Sequence, residues 1–146
     1  SMKYLKQSLK VLCLLAITSS AFAQTHEVLM KNRGTAGPMV YEPDYLEIQP
    51  GDSVKFIRTH RSHNAASIAE LSPADYKGFM GKIDEEIEVK YDHAGFYGIK
   101  CSPHYGMGMV ALIKVGEPVN QPEAIAVKHP GKAKIVFQEL LAKSGS

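Results

Sequence analysis

One segment near the end of the chain concentrates side chains that bind transition metals. It reads Cys101-Ser102-Pro103-His104-Tyr105-Gly106-Met107-Gly108-Met109 and places a thiol, an imidazole and two thioethers between apolar runs. A soft thiolate with imidazoles and a weak thioether is the donor combination of copper electron-transfer sites, whereas structural zinc sites close a tetrahedron without thioethers. The donor types therefore predict a copper site.

The spacing of these donors is more informative than any one of them. Taken singly, Cys101 would be a buried inert thiol, His104 a surface histidine, and Met107 and Met109 core side chains. His104 follows the cysteine by three positions and Met109 follows His104 by five, with intervening glycines that let the backbone fold the donors inward. This joint spacing favours a metal site and leaves Met107 open as a core residue.

A second imidazole must come from elsewhere in the chain. The candidates are His60 and His63, which follow the strand-like run Ser53–Ile57. The other histidines are predicted to be unligated: His26, His93 and His129.

The first 23 residues have the features of a secretory signal peptide. Three lysines precede a short apolar stretch and the small-residue sequence Ala21-Phe22-Ala23, and the apolar stretch is too short to span a bilayer. We expect residues 1–23, with Ser1 as a cloning remnant, to be removed, leaving 123 residues from Gln24. Cys13 would leave with this segment, and an exported chain carrying Cys101 alone needs a role for that thiol.

Charge excludes one class of partner. Without the three leader lysines the chain has 14 basic and 15 acidic residues, a net charge of −1, which gives no case for binding nucleic acid. The acidic run Asp84–Glu88 predicts only a solvated face.

The elements that must position these residues are predicted to be mostly strands, because short apolar runs end at Pro, Gly and Asp. The runs are His26–Lys31, Tyr45–Gln49, Ser53–Ile57, Ile87–Tyr91, Tyr97–Cys101 and Met109–Ile113. Asn32–Gly34 predicts a turn, and residues 73–78 fit either a loop or a short helix.

After Gly116 the pattern becomes helical, with a helix start at Asn120 and a second helix after Pro130-Gly131. The apolar stripe of that second helix is Ile135, Val136, Phe137, Leu140 and Leu141.

Segment 101–109, the upstream His63-Asn64 pair and the helical tail together resemble the pseudoazurins, a group of the cupredoxin family of type 1 blue copper proteins. The resemblance covers essentially all of the chain after the leader. Plastocyanins share the spacing of the ligand residues, but their chains resemble a sandwich that ends at the final strand, without the helical tail. The resemblance implies a mainly β fold: a cupredoxin Greek-key β-sandwich over residues 24–116, with a C-terminal extension of two α-helices over residues 117–146 packed on it.

The resemblance also implies how the metal is held. The implied ligands of a single copper ion are His63, Cys101, His104 and, as the long axial ligand, Met109. The match selects His63 over His60 because Asn64 follows it and Cys101 lies 38 positions further on. His60 is then expected to be a solvent-facing loop residue. Asn64 is expected to tether the two ligand loops.

The function implied by the resemblance is electron transport rather than catalysis. Pseudoazurins shuttle single electrons in the bacterial periplasm, so the implied partners are copper nitrite reductase or another periplasmic reductase, and a donor such as a cytochrome. We expect a monomer without membrane contact once the leader is removed. The implied docking surface is an apolar collar around His104, comprising Met39, Pro103 and Met107, with Met39 equally open as a core residue. A basic ring of Arg33, Arg61 and Lys100 is expected around it.

Two other functions are compatible with parts of the pattern. A thiol hydrolase would use Cys101 and His104, but the two are too tightly looped for a general base and Met109 would have no role. A carrier delivering Cu(I) to an acceptor protein would use Met107 and Met109. Carriers favour open sites, whereas ligands drawn from two separate loops predict a retained ion.

Overall fold

The chain folds as a β-sandwich followed by two helices in the computed structural model, which describes Lys3 and residues 22–145. The strands are β1 (Thr25–Gly34), β2 (Gly37–Glu42), β3 (Tyr45–Ile48), β4 (Ser53–Arg58), β5 (Ala66–Ser67), β6 (Ile87–Lys90), β7 (Gly95–Lys100) and β8 (Val110–Val115). The helices are α1 (Gln121–Ala126) and α2 (Ala133–Lys143). Apart from Lys3, Phe22 and Ala23, the predicted signal peptide lies outside the described residues.

The strands form two four-stranded sheets, in the orders β2-β1-β4-β6 and β3-β8-β7-β5. One pair in each sheet is parallel, β1 with β4 and β3 with β8, and the other pairs are antiparallel. Alternate residues of β1 and β4 face inward, including Met30 and Phe56, and pack with Ile99 and Ile113 of the opposite sheet. The fold is the expected mainly β sandwich with two C-terminal helices.

The helices cover the outer face of the second sheet. For this reason β7 is buried at every position but its last, rather than at alternate positions. Phe96 and Leu112 on that outer face form a second core cluster with Phe137 and Leu140 of α2. Since β7 leads directly into Cys101, this packing fixes the strand that delivers the thiol. No helix in the described part of the chain is long and apolar enough to cross a membrane.

The turn predicted at Asn32–Gly34 is wrong. Strand β1 continues through these residues, the chain turns at residues 35–36, and β2, which the sequence did not indicate, pairs back along β1. Cross-strand pairing outweighs the turn preference of the Asn-Arg-Gly sequence, since Arg33 lies opposite Pro38 and Gly34 lies opposite Gly37 in the β1–β2 register. The short strand β5 was also not predicted.

The first helix of the tail begins at the expected place, but Asn120 has a different role from the predicted one. Asn120 precedes α1 without capping it, and its side-chain amide instead bonds both backbone groups of Phe96, at 2.8 and 3.0 Å. In α2 the predicted apolar stripe is partly wrong, because Ile135 is 56% exposed whereas Phe137, Leu140 and Leu141 are buried. Residues 73–78 form a loop.

Candidate metal centre

Three of the predicted ligands converge at one end of the sandwich. The donor atoms of His63, Cys101 and His104 all lie within 4.8 Å of one another. The Cys101 Sγ atom is 3.8 Å from Nδ1 of His63 and 3.5 Å from Nδ1 of His104, and the two Nδ1 atoms are 3.2 Å apart. Cys101 and His63 are fully buried, whereas His104 is half-buried. The group thus has two enclosed donors and one that reaches the surface.

The loop after β7 brings the fourth predicted ligand, Met109, beside Cys101. Residues Ser102–Met107 form tight 3-10 turns, and Gly108 reverses the chain with a φ of +89°, which a glycine adopts without strain. The Cys101 N–H donates to the Met109 carbonyl at 3.0 Å, and the Met109 N–H donates to the His104 carbonyl at 3.2 Å. Met109 is fully buried in the same core cluster as Cys101. The backbone therefore closes the loop around the thiol.

A partner on β1 fixes the tautomer of His63. Its Nε2 lies 2.7 Å from Oδ1 of Asn32, an oxygen that can only accept, so Nε2 carries the hydrogen. Nδ1 then presents its lone pair to the Cys101 sulfur. Burial, and to a smaller extent the nearby His104, lower the pKa of His63 and keep the imidazole neutral.

Asn32 is a functional residue that the sequence analysis missed. An oxygen acceptor on the outer nitrogen of a ligating histidine orients the ring and makes it a stronger donor. In the sequence Asn32 stands in an Asn-Arg-Gly turn signal. Its role becomes visible only when β1 and the His63 loop are seen side by side.

The donor set fits a soft cation. Burial, partly offset by hydrogen bonds with the backbones of Asn64 and His104, raises the pKa of the Cys101 thiol. A buried thiolate needs a positive partner, and the two facing Nδ1 atoms repel each other unless a proton or a metal ion lies between them. A thiolate with two imidazoles matches copper better than the harder divalent cations.

The loop that carries His63 is held by its neighbours on both sides. Asn64 is buried, its Nδ2 donates to the Gly81 carbonyl at 3.0 Å, and its own carbonyl accepts from the Tyr41 hydroxyl at 2.5 Å. Asp84 was predicted to belong to a solvated face, but its Oδ1 accepts from the Ser62 N–H at 2.7 Å. Its N–H also donates to the His63 carbonyl at 2.8 Å. These bonds set His63 before any metal binds.

Three of the remaining histidines have other partners. His60 is half-buried rather than fully solvent-facing, and its Nδ1 accepts from the Asn32 N–H at 2.8 Å, outside the donor group. His26 pairs with Asp52 at 3.0 Å between Nε2 and Oδ2. His129 contacts Tyr105.

Exposed apolar residues lie on both sides of His104 in its loop, and Lys100 lies beside the next residue, Tyr105. Met107 is 49% exposed and Pro103 is exposed, while Met39 is half-buried and packs against the core. The Nζ atom of Lys100 lies 5.3 Å from the centroid of the Tyr105 ring. A protein docking here would meet His104 first, because the sulfur of Cys101 is inaccessible.

Comparisons with known proteins agree with this site. The copper-binding plastocyanin/azurin family matches residues 28–116. A pseudoazurin from Paracoccus pantotrophus is 44% identical over 122 residues, covering 83% of this chain and 84% of the relative. The structure of a Sinorhizobium pseudoazurin superposes with a TM-score of 0.81 at 37% identity, covering 84% of this chain and 98% of that one.

A second solved structure gives the same result. The pseudoazurin of Hyphomicrobium denitrificans superposes with a TM-score of 0.79 at 40% identity, covering 82% of this chain and 97% of that one. Both structures cover more than four fifths of this chain, whereas the plastocyanin/azurin family model matches residues 28–116 alone. The chain therefore belongs to the pseudoazurins, which are electron-transfer copper proteins of the plastocyanin/azurin family and not enzymes.

Proposed function

We propose that this protein carries single electrons in the periplasm, using one copper ion bound by His63, Cys101, His104 and Met109. The observation that carries the proposal is the convergence of a buried thiol and two imidazole Nδ1 atoms within 4.8 Å of one another. Bound there, copper supplies a one-electron redox couple.

The protein's own residues keep that site closed and rigid. Asn32 orients His63, the bonds between Met109 and its loop neighbours enclose Cys101, and full burial of the sulfur excludes water and substrates. A site that is pre-arranged in this way moves little when its charge changes, which favours fast electron transfer. The same enclosure argues against a thiol hydrolase, because no substrate carbonyl can reach Cys101.

His104 is the proposed point of electron entry and exit. It is the half-buried member of the donor group and stands beside exposed Pro103 and Met107. An apolar surface of this kind suits a short-lived complex, since it releases water without needing matched hydrogen bonds.

The proposed partners are copper nitrite reductase or another periplasmic reductase as acceptor, and a donor such as a cytochrome. The predicted leader supports the periplasmic location, and the basic side chains Arg33, Arg61 and Lys100 support an acidic docking patch on the partner. We propose that the carrier itself is a monomer. A role as a copper carrier finds no support in the enclosed, tethered donors.

Stopped-flow mixing tests this function. The reduced, copper-loaded protein should be oxidised by a copper nitrite reductase in a reaction that is first order in each protein, and Pro103→Glu beside His104 should slow that reaction. Val119→Glu, which also adds one negative charge at an exposed apolar position but on the segment after β8, is the matched control and should leave the rate unchanged. No oxidation by any periplasmic reductase, with copper passing instead to an acceptor protein, would contradict the proposal.

A further inference from the structure

The loop that carries His104 and Met109 lies directly against the segment that leads into α2. The Lys132 N–H donates to the Gly106 carbonyl at 2.9 Å, and a side chain at Gly131 would collide with that carbonyl. A Cβ at Gly108 would lie 3.2 Å from Cγ2 of Val136. Backbone packing this close leaves the loop and the tail little freedom to move separately.

A side-chain contact reinforces this packing beside the ligand His104. The hydroxyl of Tyr105 lies 2.5 Å from Nδ1 of His129. The His129 ring stacks on Phe137, with 4.2 Å between centroids and 26° between planes. Phe137 belongs to α2 and is 1% exposed within the second core cluster. A continuous contact thus runs from the residue next to His104 into the protein core.

The direction of the hydrogen bond follows from the chemistry of the two groups. A phenol has an ordinary pKa of about 10, so the Tyr105 hydroxyl carries its proton at neutral pH and donates. Burial lowers the pKa of His129, so the imidazole is neutral and can accept at Nδ1. Its hydrogen then lies on Nε2, which is buried and has no hydrogen-bond partner. With Nε2 unpaired, the Tyr105 hydroxyl is the polar contact that holds this ring.

We propose that His129 is a positioning residue for the metal site: by accepting the Tyr105 hydroxyl, it fixes the loop carrying His104 and Met109 to α2. The proposal rests on the proposed function only in taking these two residues as copper ligands. His129 itself lies outside the donor group and acts through Tyr105.

Amide hydrogen exchange in the metal-free protein tests the contact without any copper. The reporters are the Gly108 and Met109 N–H groups, which donate within the loop to the carbonyls of Tyr105 and His104. Loss of a hydrogen bond worth about 1 kcal/mol corresponds to roughly fivefold more frequent opening. Tyr105→Phe and His129→Phe should therefore each speed exchange at both reporters about three- to tenfold. The double variant should be no faster than the faster single variant, because both remove the same bond.

The matched control is Tyr97→Phe. It also removes a hydroxyl, one that donates to the His93 carbonyl at 2.8 Å, away from the loop. This variant should leave exchange at Gly108 and Met109 unchanged. Equal exchange in Tyr105→Phe and Tyr97→Phe would overturn the proposal.

The copper-loaded protein supplies a second readout. At a fixed redox poise, the ratio of reduced to oxidised protein should rise about two- to tenfold in Tyr105→Phe and His129→Phe, because the reduced ion tolerates a loosely held imidazole better. His129→Asn, which keeps an acceptor near the position of Nδ1, should return towards wild type. Faster loop exchange with an unchanged redox ratio would also overturn the proposal. A wild-type chain that binds no copper would contradict the proposed function, while the exchange experiment would still decide the contact.

Discussion

Asn64 and Ser102 are joined by both ends of the Asn64 side-chain amide. The Ser102 N–H donates to Oδ1 at 2.7 Å, and Nδ2 lies 3.0 Å from the Ser102 Oγ, which accepts from it. Asn64 follows His63 and Ser102 follows Cys101, so this pair locks together the two loops that hold the buried donors. The contact is the tether that the resemblance to the pseudoazurins implied.

Replacing this side chain should loosen the site as well as the fold. Asn64→Ala leaves the Ser102 N–H without its partner, and we expect the free energy of unfolding to fall by about 2–3 kcal/mol. The visible band of the copper-loaded protein should shift, because the relative position of His63 and Cys101 is no longer fixed. Urea denaturation and absorption spectra measure the two effects.

Asn120→Ala provides the control for that variant. Asn120 is also a buried asparagine with two hydrogen bonds to one residue, Phe96, but it lies outside the donor group. Asn120→Ala should lower the free energy of unfolding by a comparable amount and leave the visible spectrum unchanged. A spectral shift of equal size in both variants would show that general destabilisation, not the Asn64 tether, is responsible.

Stability of the metal-free protein should fall as the pH is lowered from 7 to 5. Burial lowers the pKa of both His63 and His129 below the usual 6.5, so the unfolded chain takes up protons before the folded one does. The loss begins near pH 6.5 and levels off once the pH is below the lowered pKa values of the folded state. Unfolding free energies measured across this range in His129→Gln should show a shallower decline, and an identical decline would contradict the assignment to His129.

The sequence analysis associated the proposed donors of this site more readily than the residues that hold them. Cys101, His104 and Met109 lie within nine residues of one another, so local spacing was enough to associate them. Asn32 and Asp84 come from distant segments. Asn32 acts through one side-chain oxygen, and Asp84 acts through one side-chain oxygen and its backbone N–H. Such contacts depend on sheet register, which a single sequence does not fix.

In the fold, too, features with local sequence signals were predicted and features set by tertiary contacts were missed. The strand-like runs that end in Pro, Gly and Asp were found, since periodicity and turn residues are local signals. Strand β2 was missed because its residues Gly37–Glu42 include glycine and proline and are stabilised by pairing with β1. The exposure of Ile135 was missed because the face that α2 buries depends on how the helix packs against the sheet.

Docking should depend on salt, because we propose that the predicted basic ring of Arg33, Arg61 and Lys100 steers the partner. Arg33 and Arg61 are exposed and Lys100 is half-buried. At about 0.1 M ionic strength, charges are screened beyond roughly 10 Å, so the bimolecular electron-transfer rate with a reductase should fall as salt is added. Lys100→Glu with Arg61→Glu should lower the rate several-fold at low salt without changing the colour. A rate indifferent to both salt and charge reversal would leave the apolar surface as the docking site.

Met109 should tune the site without being needed for metal retention. Met109→Gln replaces a weak thioether with a harder amide oxygen, which favours the oxidised ion, so the reduction potential should fall while copper stays bound. Voltammetry and metal analysis measure both properties. The neighbouring variant Met107→Gln, at an exposed position, should leave the potential nearly unchanged. Equal shifts in the two variants would contradict the assignment of Met109 as axial ligand.

The most direct test is the visible absorption of the copper-loaded protein and of Cys101→Ser. The wild-type protein should show an intense blue band that ascorbate bleaches reversibly with the metal retained, since the band arises from a copper–thiolate bond. Cys101→Ser should lose the band while keeping the circular dichroism of a folded sandwich. A Cys101→Ser protein that retained the intense colour would contradict the proposed copper site.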